Sequence, residues 1–580
     1  MLRIGNDHLI RGVHNRAFIS QQIAIPLRLF NMFRFCLLAL TTLSLIECSA
    51  AAQDDRKYNE AKFRGYGRKA PPGLFKIVND STVGKAIVLN GTELFIDDHL
   101  VQSLKGARRQ LNQPIKHKQN PVLVKTTKWE EGAPGYGTVH YDARSKIFKV
   151  WYQGWKKTKG TSAGQLHYAT SKDGIRWHKP VLDKKTGSNL VRHPQIQGFQ
   201  CPGVYLDYRE RDPQRRYKML YSCNPDGTAA TWMTSAAFSP DGIRWTAAKK
   251  TPLIPFSDTQ ICPIWDARRQ RYVAFLRFGP PNTRLISRTE SEDFLHWSPK
   301  ITVLRRTRMD TVQQTQFYQM APLPYANVYL GIIGAYHDES LKPIPADKPW
   351  TDRGDVQLAF SRDGVVWKRV GGAGAMSHAQ LNQKRDWSQA TRQATFLPYG
   401  KRDKDWDWGY IIPYFTPEPI IINDLIYFFY AGLDDKHWWD WTGDPPKKDP
   451  NAKPPKQGIG LATLRRDGFV SINAGAKGGT MTTRPFVFLG DTLVLNADAS
   501  KGSVSVEALG SDGKPIKGFT RDNSVKLTTD NIRHKLAWKG HKDLHQLQGR
   551  PIQLRFHLKQ ARIFSLTPRT RHTHYVRGYD

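Results

Sequence analysis

Four carboxylates stand where acid–base chemistry would place them, next to short apolar segments rich in aromatic residues. Glu130 precedes Tyr136-Gly137-Thr138, Asp258 opens Asp258-Thr259-Gln260, Asp407 opens Asp407-Trp408-Gly409, and Glu418 sits between Pro417 and Pro419. Two carboxyl groups roughly 5–10 Å apart can flank a bond between sugars, one held protonated as acid and the other ionised as base or nucleophile. Flat side chains accompany the last two: Trp406, Trp408 and Tyr410 come before Glu418, and His437, Trp438, Trp439 and Trp441 follow it. Aromatic faces beside carboxylates and a histidine are the materials of a sugar-binding cleft. The catalytic candidates are therefore Asp258, Glu418, Asp407 and Glu130. The substrate-binding candidates are Trp408, Tyr410, His437, Trp438, Trp439 and Gln260. Each has a plainer reading as a turn residue, the partner of an arginine, or packing between sheets.

Other chemistries lack their residues. There is no Gly-rich phosphate loop, no nucleophile elbow and no His-Glu-x-x-His. No Cys/His spacing resembles a zinc site, and His337-Asp338-Glu339 reads as an isolated loop triplet, so no metal or cofactor is expected.

The elements that must carry these residues are strands. Ser171-Lys172-Asp173-Gly174-Ile175-Arg176-Trp177 recurs at Ser239–Trp245 and at Ser361–Trp367. A degenerate copy spans Ser291–Trp297, and Arg466-Asp467-Gly468-Phe469 looks like a truncated last one. Asp-Gly supplies a tight turn with a positive backbone angle, Ser and Asp side chains tie down amides, and the Trp returns apolar mass to the packing. Polar turns such as Tyr141-Asp142-Ala143-Arg144 and Trp265-Asp266-Ala267-Arg268 mark hairpins between these copies, as do the segments Val204–Leu220, Met320–Ile332 and Pro419–Tyr430. Five hairpins alternating with five such turns predict an all-β chain: a five-bladed β-propeller over 92–478, followed by a small C-terminal β-sandwich over 479–567. A leader over 53–91 and a basic tail over 568–580 complete the chain. In the propeller the innermost strand of each blade lines the channel, so carboxylates at the starts of those strands are the ones to test.

The run Phe33–Ile46, with Arg34 in front and small residues behind, reads as a secretory signal within 1–52, with Met32 as the natural start. It is too short for a usual membrane span. A secreted or periplasmic protein with no transmembrane segment after processing is expected. Cys201 and Cys223 lie either side of a polar turn, where a disulfide and two buried free thiols are both open. The net charge of +36 favours acidic partners, an anionic glycan among them, although scattered basic residues also serve as a solvated surface. No nucleic-acid motif occurs, so carbohydrate is the expected partner and nucleic acid is not.

The Ser-x-Asp-Gly-x-x-Trp turns, the hairpins and the appended sandwich together resemble the secreted five-bladed propellers of glycoside hydrolase families 32 and 43, over roughly residues 92 to 567. The resemblance is closer to secreted family 32-like relatives than to the enzymes that define the family. It implies hydrolysis of glycosidic bonds in an extracellular oligo- or polysaccharide by a carboxylate pair at the channel mouth. Two other readings are a non-catalytic glycan-binding propeller and a basic cell-surface scaffold. The family's Trp-x-Asn-Asp-Pro nucleophile segment and its Glu-Cys acid segment are absent. Arg211-Asp212-Pro213 matches the family's Arg-Asp-Pro segment, but here it falls in a polar turn between hairpin strands.

Overall fold

The computed structural model describes residues 86–569, except 128, 131–133, 159–160, 192–198, 224–232, 249–253, 256–258, 279–283, 306–309, 311–314, 338–352, 372–394, 403, 438–440, 443–446, 449–450, 452 and 454. The expected signal segment, most of the expected leader and most of the expected basic tail fall outside these residues. The described chain is all-β, its strands joined by turns and short 3₁₀ segments. No described helix is long and apolar enough to cross a membrane.

Five antiparallel meanders follow one another. The first runs through Gly137–Asp142, Ile147–Thr158, Thr161–Ser171 and Trp177–His178. The second starts with Gln200–Leu206 and the third with Cys262–Asp266. The fourth starts with Thr315–Tyr325. The fifth comprises Tyr410–Pro413, Leu425–Leu433 and Gln457–Arg465, and is completed from the N-terminal side by Ile115–Lys116 and Leu123–Val124. A parallel bridge between Gly354 and Tyr410 connects the fourth to the fifth.

The repeated turns link the third and fourth strands of the first four meanders, as their chemistry requires. Asp173 Oδ1 accepts from the amides of Ile175 and Arg176 at 2.8 Å each, Ser171 Oγ accepts from Gly174 N at 2.9 Å, and Trp177 Nε1 donates to Gly174 O. Gly174, Gly242 and Gly364 all have φ between +74° and +79°. In the degenerate copy Phe294 takes that role at φ +69°, and its ring fills the core between Phe238, Tyr272 and Trp297.

The first strands of the five meanders meet. Thr138 bridges Phe415 in parallel, and Val204 N donates to Thr138 Oγ1 at 3.0 Å. A Cβ on Gly203 would stand 1.7 Å from the carbonyl oxygen of Ile261, so that backbone approach admits only glycine. Gln260 and Gln319 tie the set together. Gln260 Nε2 donates to Gly137 O at 2.8 Å and to Pro202 O at 2.9 Å; Gln319 Nε2 donates to Gln260 Oε1 and to Pro413 O. Two buried amides thus join the first strands of the first, second, fourth and fifth meanders to Gln260, two residues before the third. The bridge between Thr138 and Phe415 is parallel, and the starts of the first strands are here called the upstream face and their ends the downstream face.

Two further sheets enclose a separate core around Phe95, Met481, Phe556 and Trp538. They contain the expected strands after 479, but they also recruit Val101–Lys105 and Ala107–Leu111, which pair with Gly479–Thr483 and Val470–Ala474. The strands early in the chain therefore cross the boundary read from sequence. Their apolar residues (Leu89, Phe95, Leu100, Val101) complete this core.

The hairpin around Arg209–Pro213 forms with Gln200 opposite Ser222 and Gly203 opposite Leu220, so Cys201 and Cys223 are not cross-strand partners; Cys201, Cys223 and Cys262 are buried and no disulfide joins them.

Candidate functional site

At the upstream face, the first strands and their flanks place aromatic rings together. His437, just after the strand Leu425–Leu433, has ring centroids 5.0 Å from Tyr336, 5.0 Å from Tyr410 and 5.3 Å from Tyr318. Its Nε2 lies 3.2 Å from Tyr318 Oη. Tyr136 stacks on Tyr318 at 6.4 Å, with the planes 17° apart. Tyr336 and Tyr410 are buried, whereas Tyr136, Tyr318 and His437 are partly open. Two guanidinium groups cap the cluster. Arg277 stands 4.8 Å over the Tyr318 ring, and Arg284 stands 5.4 Å over Tyr318 and 5.4 Å over Tyr336 while donating to Gln316. Burial, then the charges of Arg284 and Arg277, push His437 down to about 3, so its ring is neutral at pH 7. The cluster carries partly open tyrosine rings, a neutral imidazole and the partly open Arg284, with Arg277 buried behind them.

Of the residues read from sequence, Tyr410 and His437 belong to this cluster. Trp408 is buried beside it and lies under Arg353 (5.0 Å) and Arg402 (5.4 Å). Gln260 is nearby, but both ends of its amide are engaged in joining the sheets. Asp258, Trp438 and Trp439 lie outside the described residues.

The remaining carboxylates do not converge. Asp407 is buried and held by Lys116 Nζ at 2.5 Å and Tyr430 Oη at 2.8 Å. Glu130 is fully buried, with Lys179 Nζ and Tyr152 Oη on Oε1 at 2.6 Å each and the amides of Thr126 and Thr127 on Oε2. Burial alone would raise this carboxyl, but the bonds from Lys179, Tyr152 and Thr126 outweigh it and hold it at about 2. Glu130 is ionised at neutral pH, and each carboxylate is engaged by a lysine and a tyrosine. Glu418 is at the other face. Sequence reading takes it as preceding an innermost strand, but that strand is Tyr410–Pro413 and Glu418 follows it. Asp212 caps the 3₁₀ turn Pro213–Arg215 by accepting from Gln214 N at 2.9 Å, which is ordinary turn chemistry. No group of three or more His, Cys, Asp or Glu among the described residues is arranged to hold a metal.

Sequence reasoning missed Tyr136, Tyr318, Tyr336, Arg277 and Arg284. Aligning strand starts would have found part of the set, since Tyr136, Tyr318 and Tyr410 each lie at or near the start of a first strand.

No family model and no curated protein matches this chain. Among solved structures it is similar to a glycosyl hydrolase from Bacteroides ovatus (13% identity, covering 61% of this chain and 94% of that one, TM-score 0.36). It is also similar to an N-acetylgalactosamine deacetylase from F. plautii in complex with blood group B trisaccharide (13%, 62% and 96%, TM-score 0.40). A third is the alpha-L-arabinofuranosidase from Podospora anserina in complex with cellotriose (13%, 62% and 98%, TM-score 0.36). Likenesses this distant leave the chemistry to be argued from the chain's own residues.

Proposed function

We propose that the five meanders are the blades of one propeller, exported from the cell, and that its upstream face binds a carbohydrate carrying acidic groups. The observation that carries this reading is the cluster of Tyr136, Tyr318, Tyr410 and His437 under Arg277 and Arg284. Partly open tyrosine rings suit the apolar face of a sugar, and guanidinium forks suit a carboxylate or sulfate on it. The shared hydrogen bonding of Gln260 and Gln319 supports the closed ring.

The second reading is hydrolysis by a carboxylate pair at that face. The ion pairs that engage Glu130 and Asp407, and the position of Glu418 after its strand, favour binding over cleavage. Asp258, two residues before Gln260, is the sequence candidate on which a hydrolytic mechanism would rest.

A panel of neutral and uronic-acid oligosaccharides, assayed for binding by calorimetry and for cleavage by reducing-end release, tests both readings. We expect uronate binding that weakens about tenfold or more in Tyr318→Ala and in Arg284→Ala. Binding indifferent to both substitutions, or no binding across the panel, overturns the assignment of this face. Cleavage abolished by Asp258→Asn would reinstate the hydrolase.

A further inference from the structure

Arg353 opens the strand Arg353–Ser361 of the fourth meander, one residue before the bridge from Gly354 to Tyr410. The residue is only 6% exposed, and its guanidinium stands 5.0 Å from the Tyr399 ring and 5.0 Å from the Trp408 ring. Aromatic faces attract a cation, but they do not accept the N–H groups that lie in the guanidinium plane. Nε is buried without a hydrogen-bond partner, and among the described residues no side-chain oxygen or carbonyl accepts from the other two nitrogens and no carboxylate lies within ion-pair distance. Asp355, two residues on and on the same side of the strand, is committed elsewhere: it accepts from Thr395 Oγ1 at 2.6 Å and faces His337 Nε2 at 3.7 Å. Other enclosed arginines of these sheets are answered, Arg288 by Glu290 at 2.5 Å and Arg369 by Asp310 at 2.7 Å. A buried charge with its donors unmet is costly, so the environment of Arg353 lacks an acceptor that a ligand can supply. The surroundings leave a way in: Tyr399 is partly open, and the exposed Arg402 stands 5.4 Å over Trp408 and adds positive charge to the entrance.

We infer that Arg353 is an oxyanion site, which takes a carboxylate or sulfate group on the N–H edge of its guanidinium. The two rings hold the guanidinium in place, and a planar fork of donors matches two oxygens of one anion. Arg353 and Arg402 together repel metal cations and ammonium groups. Uronic acids and sulfated sugars share the required chemistry, and the partly open Tyr399 ring offers a face for the body of such a ligand. This site is separate from the cluster under Arg277 and Arg284 and does not rest on its assignment.

The test titrates glucuronate and glucose 6-sulfate, against the neutral glucuronic acid methyl ester and glucose, into the full chain by calorimetry at pH 7. Arg284→Ala is the background, so that Arg284 contributes nothing to the reading. The expected result is at least about tenfold preference for one or both oxyanions over the neutral counterpart, lost when Arg353→Gln is added. Which of the two probes binds tells whether the site takes a carboxylate, a sulfate or either. Arg353→Lys keeps a cation between the rings but not the fork, and should weaken binding about tenfold; it carries the test if Arg353→Gln does not fold. The melting temperature of Arg284→Ala should rise with the oxyanion that binds and not with its neutral counterpart. No oxyanion preference in Arg284→Ala, preference that survives in a folded Arg353→Gln protein, or binding unchanged by Arg353→Lys each overturns the inference. Oxyanion binding lost in Arg284→Ala alone leaves the upstream cluster standing and removes this site. Binding indifferent to Arg284→Ala but lost with Arg353→Gln does the reverse.

Discussion

Replacing Glu130 by Gln separates a structural carboxylate from a catalytic one. The substitution keeps the volume but removes the charge facing Lys179, whose side chain is only 15% exposed. A carboxyl held at about 2 rather than 4.5 corresponds to about 3 kcal/mol of native-state stabilisation at neutral pH. On Lys179 burial outweighs the carboxylate, and its ammonium is held below the usual lysine range, which offsets part of that gain. The carboxylate's direction stands, because Glu130 also receives bonds from Tyr152 and the Thr126 and Thr127 amides. Because the folded carboxyl is depressed, its contribution is fully present above pH 4.5 and is lost as the pH falls towards 2. Urea unfolding followed by tryptophan fluorescence should therefore show Glu130→Gln less stable than the parent by about 3 kcal/mol at pH 7. The gap should close progressively between pH 4.5 and pH 2. A gap under about 1 kcal/mol at pH 7, or one that does not narrow in acid, would refute the reasoning. Glycan binding by the folded variant should match the parent.

Gly203→Ala should cost about 3 kcal/mol or more, because its Cβ meets the Ile261 carbonyl backbone rather than a movable side chain; a melting temperature near the parent's would count against the close approach of those strands. Asp241→Ala removes the acceptor for the Ile243 and Arg244 amides, and thermal unfolding should show a loss of about 1–2 kcal/mol. Gln260→Leu leaves the carbonyls of Gly137 and Pro202 without that donor, and should cost about 2 kcal/mol in chemical denaturation; an unchanged midpoint would mean the amide does not join the sheets. Melting should be the same with and without reductant, and thiol titration should detect the buried Cys201, Cys223 and Cys262 only after denaturation.

The Ser-x-Asp-Gly-x-x-Trp copies were legible because their chemistry is local. Ser, Asp, Gly and Trp within seven residues satisfy one another, so each turn forms wherever the sequence puts it, and even Phe294 adopts the glycine's backbone angle when Asp293 is present. The all-β class followed from the same signals. The clustering of side chains was not legible in this way, since it depends on which strand comes first in each meander. Apolar residues lie on both sides of Glu418, and sequence alone does not tell a carboxylate that precedes a first strand from one that follows it. Tertiary structure decided that Tyr410–Pro413 is the first strand of the last sheet, and this placed Glu418 after that strand. It also decided the partners of charge. Lys179 is 49 residues from Glu130 and Lys116 is 291 from Asp407, separations over which no local pattern operates. Aromatic type and strand period brought Tyr410 into view from sequence, whereas Tyr318, Tyr336, Arg277 and Arg284 joined it only because segments far apart in the chain pack together there.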